Sequence, residues 1–268
     1  MKEKFNEKVI PVILKFINTK GIQSIKNGMV TSMSPLIIGS IFLILSNFPI
    51  KAVLDQACGA TFSISAMIAV IGISYSYAKL ENQEPLNCAI ISLASFLILM
   101  PSSITTESGE VVTGIINKTW TAGQGMIGAI IVGLIVPLVY CWFLKKNIRI
   151  KMPAGVPEGV TNAFSALIPA FVILTGVAVI HGICSIGFNT TGMEIIYKAV
   201  QTPLQKMTDS LGGAVLMCFT GPFLWFFGVH GSTVVGGIMT GLLQANSLAN
   251  QAIIDSGVEL TIAKGGHI

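Results

Sequence analysis

Apolar and charged residues are sharply segregated along this chain. Six stretches contain no Asp, Glu, Lys or Arg: 27–50, 56–78, 85–106, 119–144, 159–193 and 210–254. Each is long enough to cross a bilayer, which takes about 20 apolar residues in a helix. The runs are continuous rather than alternating, which predicts helices and not the strands of a membrane barrel, because a helix satisfies its backbone hydrogen bonds internally. Spans are predicted near 29–48, 61–78, 86–104, 122–144 and 160–186. Two flanking segments mix apolar and charged residues at helical spacing. In 5–17, Phe5, Val9, Val12, Ile13, Phe16 and Ile17 alternate with Lys4, Lys8 and Lys15, and 193–207 has the same character. The second predicts an interfacial helix, and the first either an interfacial helix or a short cytoplasmic helix packed on the rest of the chain.

The last run, 210–254, is 45 residues long, far more than one crossing, and is interrupted by Pro222, Gly228, Gly231, Gly236, Gly237 and Gly241. A discontinuous pair of helices is expected here. Broken helices at membrane depth are tolerated where protein or a water-filled cavity satisfies the freed backbone groups, so this tract is the first place to look for a substrate.

Composition agrees. Apolar residues make up 52% of the 268 positions and charged residues 10%, against about 25% charged in an ordinary soluble domain. The net charge of +4 does not point to nucleic acid, because the basic residues flank the apolar runs. Lys2, Lys4, Lys8, Lys15, Lys20 and Lys26 precede the first run, and Lys145, Lys146, Arg149 and Lys151 follow the fourth. Both segments are expected to be cytoplasmic, and the intervening outer loops carry only Lys51 and Lys118. Cys58, Cys88, Cys141, Cys184 and Cys218 are scattered singly and read as packing residues, with no metal-ligand spacing. No Walker A loop is present, so ATP-driven transport is not expected, and no cofactor or metal is expected.

Several motifs invite a chemical reading. Gly123-Gln-Gly-Met-Ile-Gly128 fits the dinucleotide pattern GxGxxG, but no strand precedes it and it opens a membrane span, so close helix packing or a flexible span entrance is expected. Gly237 and Gly241 read as a small-residue packing face. Glu158, at the entrance of the fifth span, reads as a helix cap, and His181 near that span's outer end is a weak candidate. His230 is the only ionisable side chain in 210–254, and a group so costly to place there is a functional candidate, able to take a proton from a hydroxyl near neutral pH. Trp225, five residues earlier, offers an apolar ring face to a sugar, or an interfacial anchor.

Three segments together resemble enzyme IIC, the membrane component of the bacterial sugar phosphotransferase system, in its lactose/cellobiose/diacetylchitobiose branch. They are the fifth-span entrance 152–169 (Met-Pro-Ala-Gly-Val-Pro-Glu-Gly-Val-Thr-Asn-Ala-Phe-Ser-Ala-Leu-Ile-Pro), the segment 225–231 (Trp-Phe-Phe-Gly-Val-His-Gly), and 22–46 with its Met-Ser-Pro-Leu-Ile-Ile-Gly core. The resemblance implies an all-α polytopic membrane protein with five transmembrane helices, interfacial amphipathic helices, and the start of a transport domain containing broken or re-entrant helices. It implies a cytoplasmic tail over 1–28, a dimer-interface domain over 29–186, and over 187–268 an interfacial helix and the beginning of the sugar-binding domain.

The resemblance also implies the chemistry. A disaccharide is translocated inward and phosphorylated on its 6-hydroxyl by a phosphocysteine of a cytoplasmic IIB protein, itself charged by a IIA protein upstream; the chain is not catalytic alone. The histidine of the family's W-x-x-G-[IV]-H-G segment maps to His230, assigning it catalytic and sugar-contacting roles, with Trp225 and Gly231 completing the implied substrate-binding residues. The expected setting is the bacterial plasma membrane, multi-pass, with a cytoplasmic N-terminus and a homodimer in the lipid bilayer. Members of the family continue through further spans with a substrate-binding glutamate and a Gly-rich hairpin, so this sequence reads as the N-terminal portion of a permease. The alternatives are a remnant that dimerises without transporting, and an ion-coupled transporter, which would call for carboxylates within spans.

Overall fold

A computed structural model of the chain describes residues 11, 15, 18–45, 51–105, 109–203, 205, 210–226, 231–261 and 264–267; at 43, 105, 224–226 and 231–241 it describes the backbone alone. The expected surface helix at 5–17 therefore lies outside the described residues except at two positions. The chain is helical nearly throughout. Helix α1 (Lys20–Leu45) is followed by α2 (Lys51–Gly59), which leads through a 3-10 turn at Phe62–Ile64 into α3 (Ser65–Leu80). Next come α4 (Pro85–Leu99), the short strands β1 (Ser103–Thr105) and β2 (Val111–Thr113), and α5 (Lys118–Thr121). A 3-10 turn, Gly123–Gly125, opens α6 (Met126–Lys145), and α7 (Glu158–Phe188) follows. Finally α8 (Gly192–Ile196) continues into a π-helical turn (Tyr197–Gln201), then α9 (Leu211–Phe226) and α10 (Gly231–Asp255).

Among the described residues, Lys51–Leu80, Gly123–Lys145 and Glu158–Phe188 are long and apolar enough to cross a membrane. Helix α1 has 26 residues. At about 1.5 Å per residue it reaches the same length. The third expected span, 86–104, is corrected to Pro85–Leu99, which rises only about 22 Å. The residue before a proline is pushed out of the helical region, and Pro101 acts this way on the end of α4. Met100 is extended, with φ −79° and ψ 155°. The chain then turns into the antiparallel pair β1–β2, with Ile104 opposite Val112.

Helix α3 is the centre of the bundle, packed against α1, α4 and α6. Without a hydrophobic force between helices in lipid, close approach relies on small residues. Here α1 and α3 meet backbone to backbone: a Cβ on Gly28 would lie 2.4 Å from the Ile73 nitrogen, and one on Gly72 would lie 2.9 Å from the Gly28 carbonyl. On the other flank, a Cβ on Gly133 of α6 would lie 3.1 Å from Ile73 Cβ. Buried serines on these faces return their hydroxyls to their own helices; Ser74 donates to the Val70 carbonyl at 2.7 Å and Ser95 to the Ile91 carbonyl at 2.8 Å. Asn27 of α1 donates to Ser76 Oγ of α3 at 3.2 Å. Met29, Ile73, Phe96, Met126 and Tyr140 fill the centre.

One end of the bundle is tied by charge. The Glu81 carboxylate, just beyond α3, accepts from Lys20 at 2.9 Å and from Lys145 at the end of α6. The start of α1, the end of α3 and the end of α6 therefore share one end, as an even number of crossings requires. Glu84 caps α4 by accepting from the Leu86 and Asn87 backbone N–H groups, both at 2.9 Å. Helix α7 packs on α4 and α6. It starts behind Pro157, with no side-chain cap, so Glu158 is a first-turn charge rather than the expected cap.

Candidate functional site

Two helices, α9 and α10, are described across 210–254; the residues expected to interrupt the tract lie largely inside them, Pro222 in α9 and Gly236, Gly237 and Gly241 in α10. Helices α9 and α10 pack against each other, separated by 227–230. His230 lies outside the described residues, and so does the side chain of Trp225; the backbone places Trp225 in the last turn of α9 and Gly231 at the first position of α10. The two therefore flank the break. A helix start leaves N–H groups without intrahelical acceptors and a helix end leaves carbonyls without donors, so a break of this kind concentrates backbone polarity that a hydroxyl-rich ligand can use.

Helix α10 fixes where the break points. Near its far end, the Ala245 carbonyl and Leu248 sit against Gly123 at the entrance of α6. About a turn earlier, Leu243 and Gln244 share a groove with Met33, Leu36 and Ile37 of α1. These α1 residues are nearer its Lys20 end than is Gly39, which abuts Phe62. The N-terminus of α10 is thus directed toward the end of the bundle that holds Glu81. From Leu248 to Gly231 the helix covers about 25 Å.

A cavity of about 460 Å³ lies at the opposite end, between α10, the entrance of α6, the 3-10 turn before α3 and the π-helical turn. Its walls carry Lys118, Gln124, Tyr197, Gln201, Gln251 and Asp255. Gln201 is 1% exposed; its Nε2 donates to the Gly123 carbonyl at 3.0 Å, and its Oε1 has no hydrogen-bond partner among the described residues. The Tyr197 ring stands edge-on to Trp120, centroids 5.7 Å apart. The Asn250 side chain clamps the His267 backbone, donating to its carbonyl and accepting from its N–H, both at 2.7 Å, which fixes the C-terminal segment beside this cavity. Sequence reasoning missed Gln201 and Tyr197. The signal was a pair at i and i+4 on a helix otherwise read as interfacial.

The remaining candidates resolve into packing. All three glycines of the GxGxxG segment are contact points: a Cβ on Gly123 would meet the Ala245 carbonyl at 2.9 Å, one on Gly125 the Trp120 carbonyl at 1.8 Å, and one on Gly128 Met193 Sδ at 2.3 Å. His181 lies in α7 with a buried Nδ1 that has no partner among the described residues, and it does not line the cavity. Cys88, Cys141 and Cys184 are buried as expected of packing residues, whereas Cys218 on α9 is exposed and Cys58 lines the cavity.

Two carboxylates outside the spans are electrostatically tuned. Burial pushes the Glu81 carboxyl up, but the hydrogen bonds and charges of Lys145 and Lys20 outweigh it and hold it below its ordinary value, because a charged partner favours the charged form. Glu194 is likewise pushed up by burial and brought below its ordinary value by hydrogen bonds from Thr190 and Thr191. The Thr190 hydroxyl donates to it at 2.7 Å and the Thr191 N–H at 3.0 Å. With Thr191 this carboxylate forms a capping box that starts α8, two otherwise orphaned donors being satisfied reciprocally.

The family described as "Phosphotransferase system, EIIC" matches residues 26–268. The chain is 30% identical to the oligo-beta-mannoside-specific EIIC component of the phosphotransferase system of Bacillus subtilis (strain 168), over 97% of this chain and 62% of that protein. It is 32% identical to the cellobiose-specific EIIC component of Geobacillus stearothermophilus, over 87% of this chain and 56% of that protein. Among solved structures it superposes on the transporter ChbC, the IIC component of an N,N'-diacetylchitobiose-specific phosphotransferase system, with TM-score 0.88 and 32% identity, covering 96% of this chain and 64% of that one. The chain spans about three fifths of the length of these relatives. It belongs to the phosphotransferase-system EIIC family, and its fold is that of an all-α membrane transporter of this family.

Proposed function

We propose that this chain is the membrane permease part of a sugar phosphotransferase system, binding a disaccharide of the cellobiose, diacetylchitobiose or lactose type at the break between α9 and α10. The observation that carries the reading is the break itself. It lies in the longest charge-free tract, which contains a histidine, and it is flanked by Trp225 and Gly231 and directed toward the Glu81 end. The names of the relatives supply the sugar class.

The Glu81 end faces the cytoplasm in this reading, because Lys20, Lys26, Lys79, Lys145, Lys146, Arg149 and Lys151 cluster there while Lys51 and Lys118 stand at the other end. A cytoplasmic IIB phosphocysteine then reaches the sugar from the side toward which the break is directed. Its sulfur–phosphorus bond breaks, the sugar O6–phosphorus bond forms, and His230 takes or orients the O6 proton. Trp225 offers a ring face to the sugar, and Gly231 lets the α10 backbone approach it.

Residues 29–186 form the dimer-interface domain and 187–268 the beginning of the sugar domain, with 1–28 as a cytoplasmic tail. The apolar side chains that α7 leaves exposed on both sides, Leu167 and Phe171 on one and Ile180 and Ile183 on the other, leave room for a partner copy in the bilayer. Carboxylates are absent from the charge-free runs, which disfavours the ion-coupled alternative. Equilibrium cellobiose binding to the purified chain tests the proposal. His230→Ala is expected to weaken binding at least tenfold; unchanged binding contradicts the assignment, and an intact dimer that binds no sugar favours a non-transporting role.

A further inference from the structure

Helix α6 turns one face away from its own chain, and that face changes character along its length. Ile135, Leu138 and Trp142, at positions i, i+3 and i+7, lie on one side of the helix and are 57, 56 and 49% exposed. One turn past the indole the same side ends on Lys146, and the chain then presents Arg149. An apolar stripe, an indole and two cations follow one another in the order in which a bilayer leaflet passes from acyl chain through interface to headgroup. The lengths agree. From Ile135 to Lys146 the helix rises about 16 Å, and one leaflet supplies about 15 Å of the hydrocarbon core.

The two cations are not neutralised by the protein. Glu81 is tied to Lys20 and Lys145, and Glu84 caps α4. Lys146 is exposed and has no acidic partner among the described residues. Arg149 is also exposed, and its Nε donates to Asn147 Oδ1 at 3.1 Å, just past the helix end. That bond holds the guanidinium at the end of α6 and leaves its two terminal nitrogens, the fork that grips a phosphate, without a partner among the described residues. Helix α7 is exposed too, but it starts on Glu158, whose charge repels an anionic headgroup.

We propose that this face of α6 binds an acidic phospholipid of the adjoining leaflet, with an acyl chain along Ile135 and Leu138, the Trp142 N–H at the level of the ester oxygens, and the phosphate between Lys146 and Arg149. A water-soluble partner does not fit, because the stripe continues about 10 Å into the span below the indole. A second copy seated here by a two-fold axis would set its own Lys146 and Arg149 against these, like charge on like. The proposal requires that the chain span a bilayer and does not depend on its carrying a sugar.

Trp142 is itself the reporter. The test places the full chain in bilayers of equal parts phosphatidylglycerol and phosphatidylcholine, with the acyl chains of one or the other brominated to quench indole fluorescence on contact. The emission that disappears in Trp142→Phe isolates this face. Quenching of that emission is expected to be at least threefold stronger from brominated phosphatidylglycerol than from brominated phosphatidylcholine. Lys146→Gln combined with Arg149→Gln is expected to bring the ratio to about one. Because Arg149 also holds Asn147, Lys146→Gln alone is measured as well, in protein that elutes as the parent does, and is expected to lower the ratio at least 1.5-fold. The proposal is overturned if the two lipids quench Trp142 equally in the parent, or if either variant keeps the parent ratio. It is overturned also if neither lipid quenches Trp142, which would mean that a second copy covers the face. Loss of the preference in millimolar inorganic phosphate, against chloride of equal ionic strength, would mean a site for a free anion and would overturn it too.

Discussion

Helices α6 and α7 are both apolar along their whole length, yet 56% of the apolar stretch of α6 is buried inside the chain against 22% in α7. Hydrophobicity does not separate them, because lipid and protein neighbours are equally apolar. Their glycines do. Gly125, Gly128 and Gly133, at and along the entrance of α6, each face a neighbouring atom closer than 3.2 Å to where a Cβ would stand, whereas Gly159, Gly176, Gly182 and Gly187 of α7 have nothing within 4 Å among the described residues. In this membrane protein the small residues, not the large apolar ones, mark which helices are packed against their own chain. What α7 leaves uncovered is left for lipid or another copy.

Substitutions can break or sharpen this contrast. The largest effect is expected for Gly28→Val, whose branched side chain meets the Ile73 backbone at 2.4 Å; no monodisperse protein should be recovered in size-exclusion chromatography. Met193→Ala empties a buried side chain that seals α8 onto Gly128 of α6. Denaturation should show a loss of roughly 2–5 kcal/mol.

Glu81→Gln removes the charge that ties α1, α3 and α6. It should lower the Tm by about 2–4 °C, the shift that roughly 1 kcal/mol produces in a chain of this size. The folded carboxyl is held below its ordinary value of 4.5, so its stabilisation is full above that value and is lost as pH falls below it. The difference in Tm between parent and variant should therefore shrink as pH falls below about 4.5. The smallest effect is expected for Gly182→Ala in α7, within about 0.5 kcal/mol. A loss there comparable to Met193→Ala would mean that α7 is packed within the chain after all.

Much of this architecture was legible in the charge gaps. Continuous runs without Asp, Glu, Lys or Arg located the helices, and the 45-residue length of 210–254 called for more than one helix there, although Pro222, Gly236, Gly237 and Gly241, read as interruptions, lie inside α9 and α10. The end of α4 was misplaced because Ser103–Thr105 lies in a charge-free run like that of a helix, and only pairing with Val111–Thr113 shows it to be a strand. The roles of Glu81 and Gln201 were not legible, since each depends on partners distant in sequence: Lys20 and Lys145 for one, the Gly123 carbonyl for the other. The GxGxxG segment was readable as packing, but the neighbours that require each glycine, Met193 above all, emerge only in three dimensions.

The central claim is that the break between α9 and α10, with His230, holds a sugar for phosphorylation from the cytoplasmic side. Membranes containing the chain, supplied with phosphorylated IIB protein and radiolabelled cellobiose, measure it directly. The account predicts cellobiose 6-phosphate that depends on the chain and falls at least tenfold with His230→Ala. Equal sugar phosphate from parent and His230→Ala membranes, or none from a parent chain that is folded, would contradict it.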